Sequence, residues 1–99
     1  MAWTFTTELI EWRGPAPFVF APMPAGMSAE LKEAARGLMY WGQIPVAVTI
    51  GTTDFDTALW PKDGRFLVPV KKVVQEGEGI GVGDVVAVSL DVRAGQPRR

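Results

Sequence analysis

The segment VAVTI, residues 46–50, alternates three branched apolar side chains with Ala47 and Thr49. A two-residue period is typical of a β-strand with one buried face. A near copy, VAVSL, occupies residues 86–90. The repetition indicates that the two halves of the chain fold alike.

The segments around this repeat also correspond in type and order. The pattern F-x-T-x-L occurs at residues 5–9 and again at 55–59, and an aromatic strand that ends in proline occurs at 18–22 and at 66–69. Short similarities of this kind can arise by chance, because strands favour the same few residues. Three matches in one order favour an internal duplication in which each half is built as β-β-α-β.

Hydrophobic spacing and turn residues set the remaining elements. A helix is predicted over residues 28–39, with Ser28 as N-cap and an apolar stripe that includes Leu31 and Ala34. A weaker helix, rich in valine, is predicted over 70–74. The predicted strands span residues 3–10, 18–22, 44–50, 54–60, 65–70 and 84–92.

The apolar faces of these elements define a predicted core. Replacing a large member of such a core removes buried surface and leaves a cavity. The predicted members are Phe5, Leu9, Phe18, Phe20, Leu31, Val46, Val48, Ile50, Phe55, Leu59, Phe66, Val68, Val86, Val88 and Leu90.

Composition limits the class of protein. The chain has 99 residues, of which 47% are hydrophobic and 21% are charged, as is typical of one folded domain. We expect a single β-barrel domain over residues 1–93 and a flexible tail over 94–99. No apolar run reaches the roughly 20 residues of a membrane helix, so we expect a cytoplasmic protein with no membrane partner.

Composition also limits the chemistry. The chain contains no cysteine and no histidine, which excludes disulfides and thiolate metal sites and removes the commonest general base. We therefore predict no catalytic residues, no cofactor and no bound metal. The net charge of −1 provides no overall attraction to a polyanion, so any nucleic-acid binding would depend on a local patch.

The glycine-rich stretch GEGIGVGDVV, residues 77–86, raises the question of a phosphate-binding loop. A dinucleotide-binding loop has glycines spaced G-x-G-x-x-G between a strand and the helix that follows it. Here the glycines follow a helix and precede a strand, so no helix N-terminus would face a ligand. We interpret the stretch as a helix stop at Gly77 or Gly79 and a tight turn in which Asp84 caps its own backbone.

The segment GRFLVPVKKVVQEGEGIGVGDVVAVSL, residues 64–90, resembles the bacterial family of domains of unknown function DUF1905. The resemblance covers nearly the whole chain and is most specific at FLVPVKK, residues 66–72, and GIGVGDVV, residues 79–86. It implies a double-split β-barrel capped by helices. The predicted fold class is therefore mainly β with two short helices, a double-split β-barrel built from two pseudo-symmetric β-β-α-β halves that one chain can close as a monomer. The resemblance implies no particular activity.

The same segment is similar, more distantly, to the swapped-hairpin DNA-binding domains of AbrB-type regulators and MazE-type antitoxins. In that group a G-R strand ending in proline is followed by a helix and a G-D-x-V turn, and basic residues of a dimer contact DNA. The similarity implies DNA binding as an alternative function. The matching positions are Gly64, Arg65, Phe66, Val68, Pro69, Gly83, Asp84 and Val86.

One cluster of basic residues is the main candidate binding site. Lys62, Arg65, Lys71 and Lys72 lie within eleven positions, and Trp60 beside them offers a surface for stacking. The cluster could bind an anionic ligand. Alternatively, it is a solvated rim whose charges keep sheet edges from pairing.

Other residues allow a functional and a structural interpretation. Asp54 and Asp56 share a strand face and could bind a hard cation or perform acid-base chemistry, or they are a solvated face. Tyr40 and Trp41 would form a recognition tip if they are exposed, and are buried loop residues otherwise. The four tryptophans either line a pocket or cap the ends of a small barrel: Trp3, Trp12, Trp41 and Trp60.

Three classes of function remain. The balanced charge and the lack of a catalytic constellation favour a non-catalytic binding or interaction module. Its partner would be an unidentified protein or a small anionic ligand. An AbrB-like DNA-binding regulator is the alternative, with weak DNA binding expected, and an enzyme is the least favoured class.

Overall fold

The computed structural model describes residues 2–12, 18–36 and 44–92. The predictions for Tyr40, Trp41, residues 37–39 of the first predicted helix and the tail at 94–99 lie outside the described residues. The elements are β1 Ala2–Glu8, β2 Ile10–Trp12, β3 Phe18–Pro22, α1 Ala25–Ala34, β4 Ile44–Ile50, β5 Thr53–Lys62, β6 Arg65–Pro69, α2 Lys72–Glu78 and β7 Val85–Val92.

The seven strands form one antiparallel sheet in the order β1-β7-β4-β5-β6-β3-β2. This sheet curls into a half-barrel around the core, and the two helices are short. The prediction of a mainly β fold with two short helices is confirmed.

The register of the strands relates the two repeated segments. Phe5 in β1 pairs with Val88 in β7, and Phe55 in β5 pairs with Val48 in β4. Residues 5 and 55 begin the two F-x-T-x-L patterns, and Val48 and Val88 are the central valines of VAVTI and VAVSL. Each repeated pattern therefore pairs with the strand of the opposite half.

The first predicted strand, residues 3–10, is divided in two at Leu9. The Leu9 N–H donates to the carbonyl oxygen of Asp84 at 2.9 Å, and the Gly83 N–H donates to the carbonyl oxygen of Leu9 at 2.9 Å. Leu9 is thus paired with the glycine-rich turn, while β1 pairs with β7 and β2 pairs with β3. The chain changes neighbours at this buried leucine.

Helix α1 begins at Ala25, three residues earlier than predicted, and Pro24 occupies the N-cap position, where its carbonyl oxygen accepts from the Ser28 N–H at 2.8 Å. Ser28 is therefore not the N-cap. Its buried hydroxyl donates to the carbonyl oxygen of Met23 at 3.4 Å and accepts from the N–H of Phe66 at 3.1 Å. Ser28 joins the helix to β6. Ala34, predicted in the apolar stripe, is exposed.

Helix α2 is the predicted weak helix, and it begins at Lys72, two residues after Val70, and extends to Glu78. It ends at Gly79, which has the left-handed conformation with φ 67° that favours glycine. Val74 is buried, but Val73 is 70% exposed. Neither of the helices in the described ranges is long and apolar enough to cross a membrane.

The glycine-rich stretch is a helix stop followed by a tight turn, as predicted. The Gly81 N–H donates to the Asp84 side chain at 2.9 Å, and the Asp84 N–H donates to the Gly81 carbonyl oxygen at 3.0 Å. Gly83 has a positive φ of 95°. Asp84 therefore caps the turn that enters β7.

The core lies on the concave side of the sheet. Thirteen of the fifteen predicted members are buried. Phe55 is partly buried against the core, and Phe18 is 50% exposed, which contradicts its predicted place. The reason is the alternation along β3. Val19 and Ala21 pack with the core, so Phe18 and Phe20 point to the opposite face of the sheet.

Candidate functional site

Four aromatic rings gather on the outer side of the sheet, where β2, β3 and the end of β5 lie close together. We call Trp12, Phe18, Phe20 and Trp60 the aromatic face. Trp12 pairs with Phe18 across the β2–β3 ladder. Residues directly opposite in an antiparallel ladder project to the same side, so the register brings these rings together.

Phe20 is the centre of the aromatic face. It has no exposed surface, although it lies on the opposite side of the sheet from the core. Its ring centroid is 6.3 Å from that of Trp12, 6.2 Å from that of Phe18 and 5.8 Å from that of Trp60. These are tilted aromatic contacts, each contributing roughly 0.5–1.5 kcal/mol beyond the area that they bury.

The rings that cover Phe20 remain open to solvent. Trp12 is 44% exposed and Phe18 is 50% exposed, and the neighbouring Ile10 is 39% exposed. Scattered apolar side chains are normal on a protein surface, but larger contiguous patches with polar residues around them are typical of interaction sites. The aromatic face is therefore a candidate for such a site.

A groove of about 750 Å³ runs beside the aromatic face. Phe18 and Trp60 line it together with Lys71 and Lys72 from the start of α2. Gln75 also lines this groove, and its side-chain amide donates to the carbonyl oxygen of Val70 at 3.0 Å. The groove therefore combines aromatic walls with two exposed cations.

A second cavity of about 250 Å³ lies against the opposite part of the face. It is lined by Trp12, Lys62 and Arg65, among others. The Lys62 ammonium lies 5.3 Å from the centroid of the Trp12 ring, a cation–π contact, and 3.7 Å from the carboxylate of Asp63. The ion pair is exposed, so it contributes little to stability and leaves the cation available to a ligand.

The structure divides the predicted basic cluster between these two cavities. Trp60, Lys71 and Lys72 line the large groove, whereas Lys62 and Arg65 line the smaller cavity. The predicted ligand-binding cluster included Trp60 but not Phe18 or Phe20, and Trp12 was predicted only as one of four tryptophans that line a pocket or cap a small barrel. The signal was present in FVFAP, residues 18–22, where both faces of the strand are apolar and only one of them can face the core.

The aromatic and basic pairs occupy corresponding places in the two halves of the chain. Trp12 pairs with Phe18 at the end of the β2–β3 ladder, and Lys62 pairs with Arg65 at the end of the β5–β6 ladder. Trp12 and Lys62 are separated by the same fifty positions as Phe5 and Phe55. One half thus presents two rings where the other presents two cations.

Comparison with known protein families accounts for most of the chain. Residues 5–90, which extend from β1 into β7, match the family described as a domain of unknown function, DUF1905. The chain belongs to this family. No curated protein matches it.

The DUF1905 domain holds one carboxylate in a strongly hydrogen-bonded position away from the aromatic face. The Glu78 side chain at the end of α2 accepts bonds from the hydroxyl of Thr53, from the Thr52 N–H at 3.3 Å and from the Thr52 hydroxyl at 3.2 Å. These bonds, that from Thr53 above all, lower the pKa of Glu78 below its ordinary value, against the opposing effect of desolvation. Gly51 makes room for this carboxylate, because a Cβ at that position would overlap it.

The acidic pair of the DUF1905 domain lies on β5. Asp54 accepts a hydrogen bond from the Thr49 hydroxyl at 2.7 Å, and both Asp54 and Asp56 are exposed. Within residues 2–12, 18–36 and 44–92, no three acidic side chains are grouped so as to hold a metal ion. The three tryptophans of the described residues do not share one pocket either, since Trp3 is buried in the core while Trp12 and Trp60 line different cavities.

Proposed function

We propose that this DUF1905 domain is a non-catalytic binding module and that the aromatic face is its ligand-binding surface. The observation that carries the proposal is the position of Phe20, fully buried on the outer side of the sheet beneath rings that are themselves exposed. Exposed Trp and Phe side chains are costly in water and are enriched at the centres of binding surfaces.

The charges around the aromatic face define the chemistry of the ligand. Lys71 and Lys72 stand on the side of the large groove, and Lys62 and Arg65 stand on the side of the smaller cavity. Exposed cations beside aromatic rings favour a ligand with an apolar or flat body and one or more anionic groups. A small anionic molecule and an acidic segment of a protein both have this character.

The composition of the chain supports a module without catalytic activity. Neither His nor Cys occurs in the sequence, so the commonest general base and the thiol nucleophile are both missing. The purified domain should not turn over esters, phosphoesters or glycosides. Turnover that copurifies with the domain and is lost on a point mutation would contradict this.

We further propose that the curled sheet closes as a double-split β-barrel of two pseudo-symmetric halves. β1 and β2 stand at opposite ends of the strand order, yet only Leu9 separates them in the chain. The matching registers of Phe5 with Val88 and of Phe55 with Val48 support the symmetry. A single chain would then close the barrel without a dimer partner.

DNA binding in the manner of AbrB-type regulators is less well supported. That mode requires basic side chains in both halves of a two-fold surface. The positions that correspond to Lys62 and Arg65 are Trp12 and Phe18, which carry no charge. The surface therefore has the character of an amphipathic site rather than of a symmetric DNA-binding one.

A titration with anilinonaphthalenesulfonate, a flat aromatic anion, tests the proposed function. We expect saturable binding that is weakened by Phe18→Ser and by Lys71→Ser with Lys72→Ser. The control is Val85→Ser, which removes a 66% exposed apolar side chain on β7. Near-ultraviolet circular dichroism verifies that each variant is folded. Binding unaffected by the first two changes would contradict the proposal.

A further inference from the structure

We propose that the natural ligand of the aromatic face is single-stranded nucleic acid. Bases stack on Trp12 and Phe18, and backbone phosphates contact the cations in the two cavities. This inference rests on the proposed function, because it assigns a ligand to the same surface.

The exposed side chains of the aromatic face are of the kind on which bases stack. Trp12 and Phe18 form a cross-strand pair on a sheet, and about half of each side chain is open to solvent. Bases stack on aromatic side chains presented in this way, and the interaction tolerates any base because every base has a flat face. The tilted contacts with Phe20 hold both rings in place, so little conformational freedom is lost on binding.

The cations are divided between the two cavities. Lys71 and Lys72 line one cavity with Phe18 and Trp60, and Lys62 and Arg65 line the other with Trp12. Glu11 lines both cavities and Asp63 lines the smaller one, so these carboxylates weaken the attraction for any anionic ligand. A nucleic-acid strand that runs from one cavity to the other carries phosphates before and after the stacked bases, and it can use both pairs of cations at once. A small molecule with one anionic group can use only one pair.

Duplex nucleic acid cannot use the aromatic rings in the same way. In a duplex the faces of the bases are covered by their neighbours, so Trp12 and Phe18 have nothing to stack on unless the strands separate. Only the four cations would then contribute. The geometry therefore favours single strands over duplexes.

The number of cations limits the strength of binding. Four phosphate contacts to a single strand give a slope of about −2.8 in a plot of log affinity against log salt concentration, at about −0.7 per contact. Stacking of bases on the rings adds a contribution to the binding free energy that salt does not screen. We therefore expect binding that weakens with salt but persists better than binding to a duplex.

The experiment is a fluorescence anisotropy titration of the full chain with a labelled oligothymidylate of about 12 nucleotides, within the usual site size of about 4–16. The matching duplex and an acidic, tryptophan-containing peptide are titrated in parallel. We expect the single strand to bind most tightly. Phe18→Ser and Trp12→Ser should each weaken it about 5-fold to 150-fold, from the usual stacking contribution of one ring, and Trp12→Phe should retain most of the affinity.

Two controls address folding and charge. Val85→Ser should not change the affinity. Lys71→Ser with Lys72→Ser should make the salt slope shallower by about 1.4, whereas Lys32→Ser with Arg36→Ser, an equal loss of charge in α1 and the turn that follows it, should not.

Three results would overturn the proposal. No binding of the oligonucleotide at low salt, with the sulfonate still bound at the aromatic face, would refute the nucleic-acid ligand and leave the proposed function standing. Tighter binding of the duplex or of the acidic peptide would also refute it. If the unaltered chain binds neither the oligonucleotide nor the sulfonate, both the nucleic-acid ligand and the proposed function are refuted.

Discussion

Thr49 lies directly opposite Ser89 in the ladder that joins β4 to β7. The register is symmetrical about this pair, since Val48 faces Leu90 and Ile50 faces Val88. On either side of this pair, branched apolar side chains of one strand face branched apolar side chains of the other. The similar segments VAVTI and VAVSL are therefore direct neighbours in the sheet.

The symmetry predicts that corresponding valines contribute equally to stability. Val48 and Val88 are both fully or almost fully buried. Val48→Ala and Val88→Ala should each lower the free energy of unfolding by about 2 kcal/mol, from lost transfer energy and a small cavity. Urea denaturation measures both. Val85→Ala, on the exposed face of β7, should change stability by less than about 0.5 kcal/mol. Very different costs at Val48 and Val88 would contradict the equivalence of the halves.

The two faces of the sheet differ in how much each phenylalanine stabilises the domain. Phe66 is buried in the core, so Phe66→Ala should cost about 3–5 kcal/mol in thermal or urea unfolding. Phe18→Ala should cost less than half of this, because the side chain is half exposed. A small cost for Phe66→Ala would show that the assigned core is wrong.

Glu78 makes the free energy of unfolding depend on pH in the acid range. Its pKa is lowered in the folded state, chiefly by the hydroxyl of Thr53, so its contribution is complete above its ordinary pKa, about 4.3 for a glutamate, and is lost as the pH falls through the lower folded value. Glu78→Gln should therefore lose less stability between neutral and acid pH than the parent chain. Glu30→Gln, a change at an exposed position on α1, is the control. Equal losses in the parent and in Glu78→Gln would contradict the assignment.

A pair of glycines tests the same contact through the backbone. Gly51 and Gly64 both have positive φ, 63° and 81°, but only at Gly51 would a Cβ overlap Glu78. Gly64→Ala should cost about 1–2 kcal/mol of backbone strain. Gly51→Ala should cost a similar backbone strain, because the overlapping atoms are the flexible end of Glu78 and can move away. It should also remove the part of the acid dependence that Glu78 contributes, because the carboxylate must leave its threonine partners. An acid dependence unchanged by Gly51→Ala would contradict the overlap.

Duplex DNA should bind only weakly. Four cations allow a salt slope of at most about −3.6 on a duplex, and binding should vanish near physiological salt. Titration of a labelled duplex at two salt concentrations measures this. Tight binding with a steep slope, lost when Arg65 and Lys71 are both changed to Ala, would favour the regulator over the binding module.

The sequence predicted most of the secondary structure, because its apolar periodicity follows the burial of the strands. It did not predict the break at Leu9, since the hydrogen bonds that replace the ladder come from Gly83 and Asp84, far along the chain. It also placed the start of α1 at Ser28. That serine has the chemistry of a cap, but it is used instead to bond to Phe66.

The sequence predicted the basic residues of the proposed binding surface but not its phenylalanines. The basic residues of the cluster are close in sequence, so they could be found together. Phe18 and Phe20 were correctly placed on one side of a strand, but an all-apolar strand does not reveal which of its faces is the core. The neighbours decide this, since Val19 and Ala21 are the residues that pack with the core.

The most direct test of the binding surface is amide chemical-shift mapping by nuclear magnetic resonance during titration with anilinonaphthalenesulfonate. The account predicts that the largest shifts fall on β2, on β3 at Phe18–Phe20, on β5 near Trp60 and on Lys71 and Lys72. The amides of Val85 in β7 and Val48 in β4 serve as internal controls, because no residue of these strands lines either cavity. Shifts concentrated around these two residues, with β2 and β3 unchanged, would contradict the claim that the aromatic face binds the ligand.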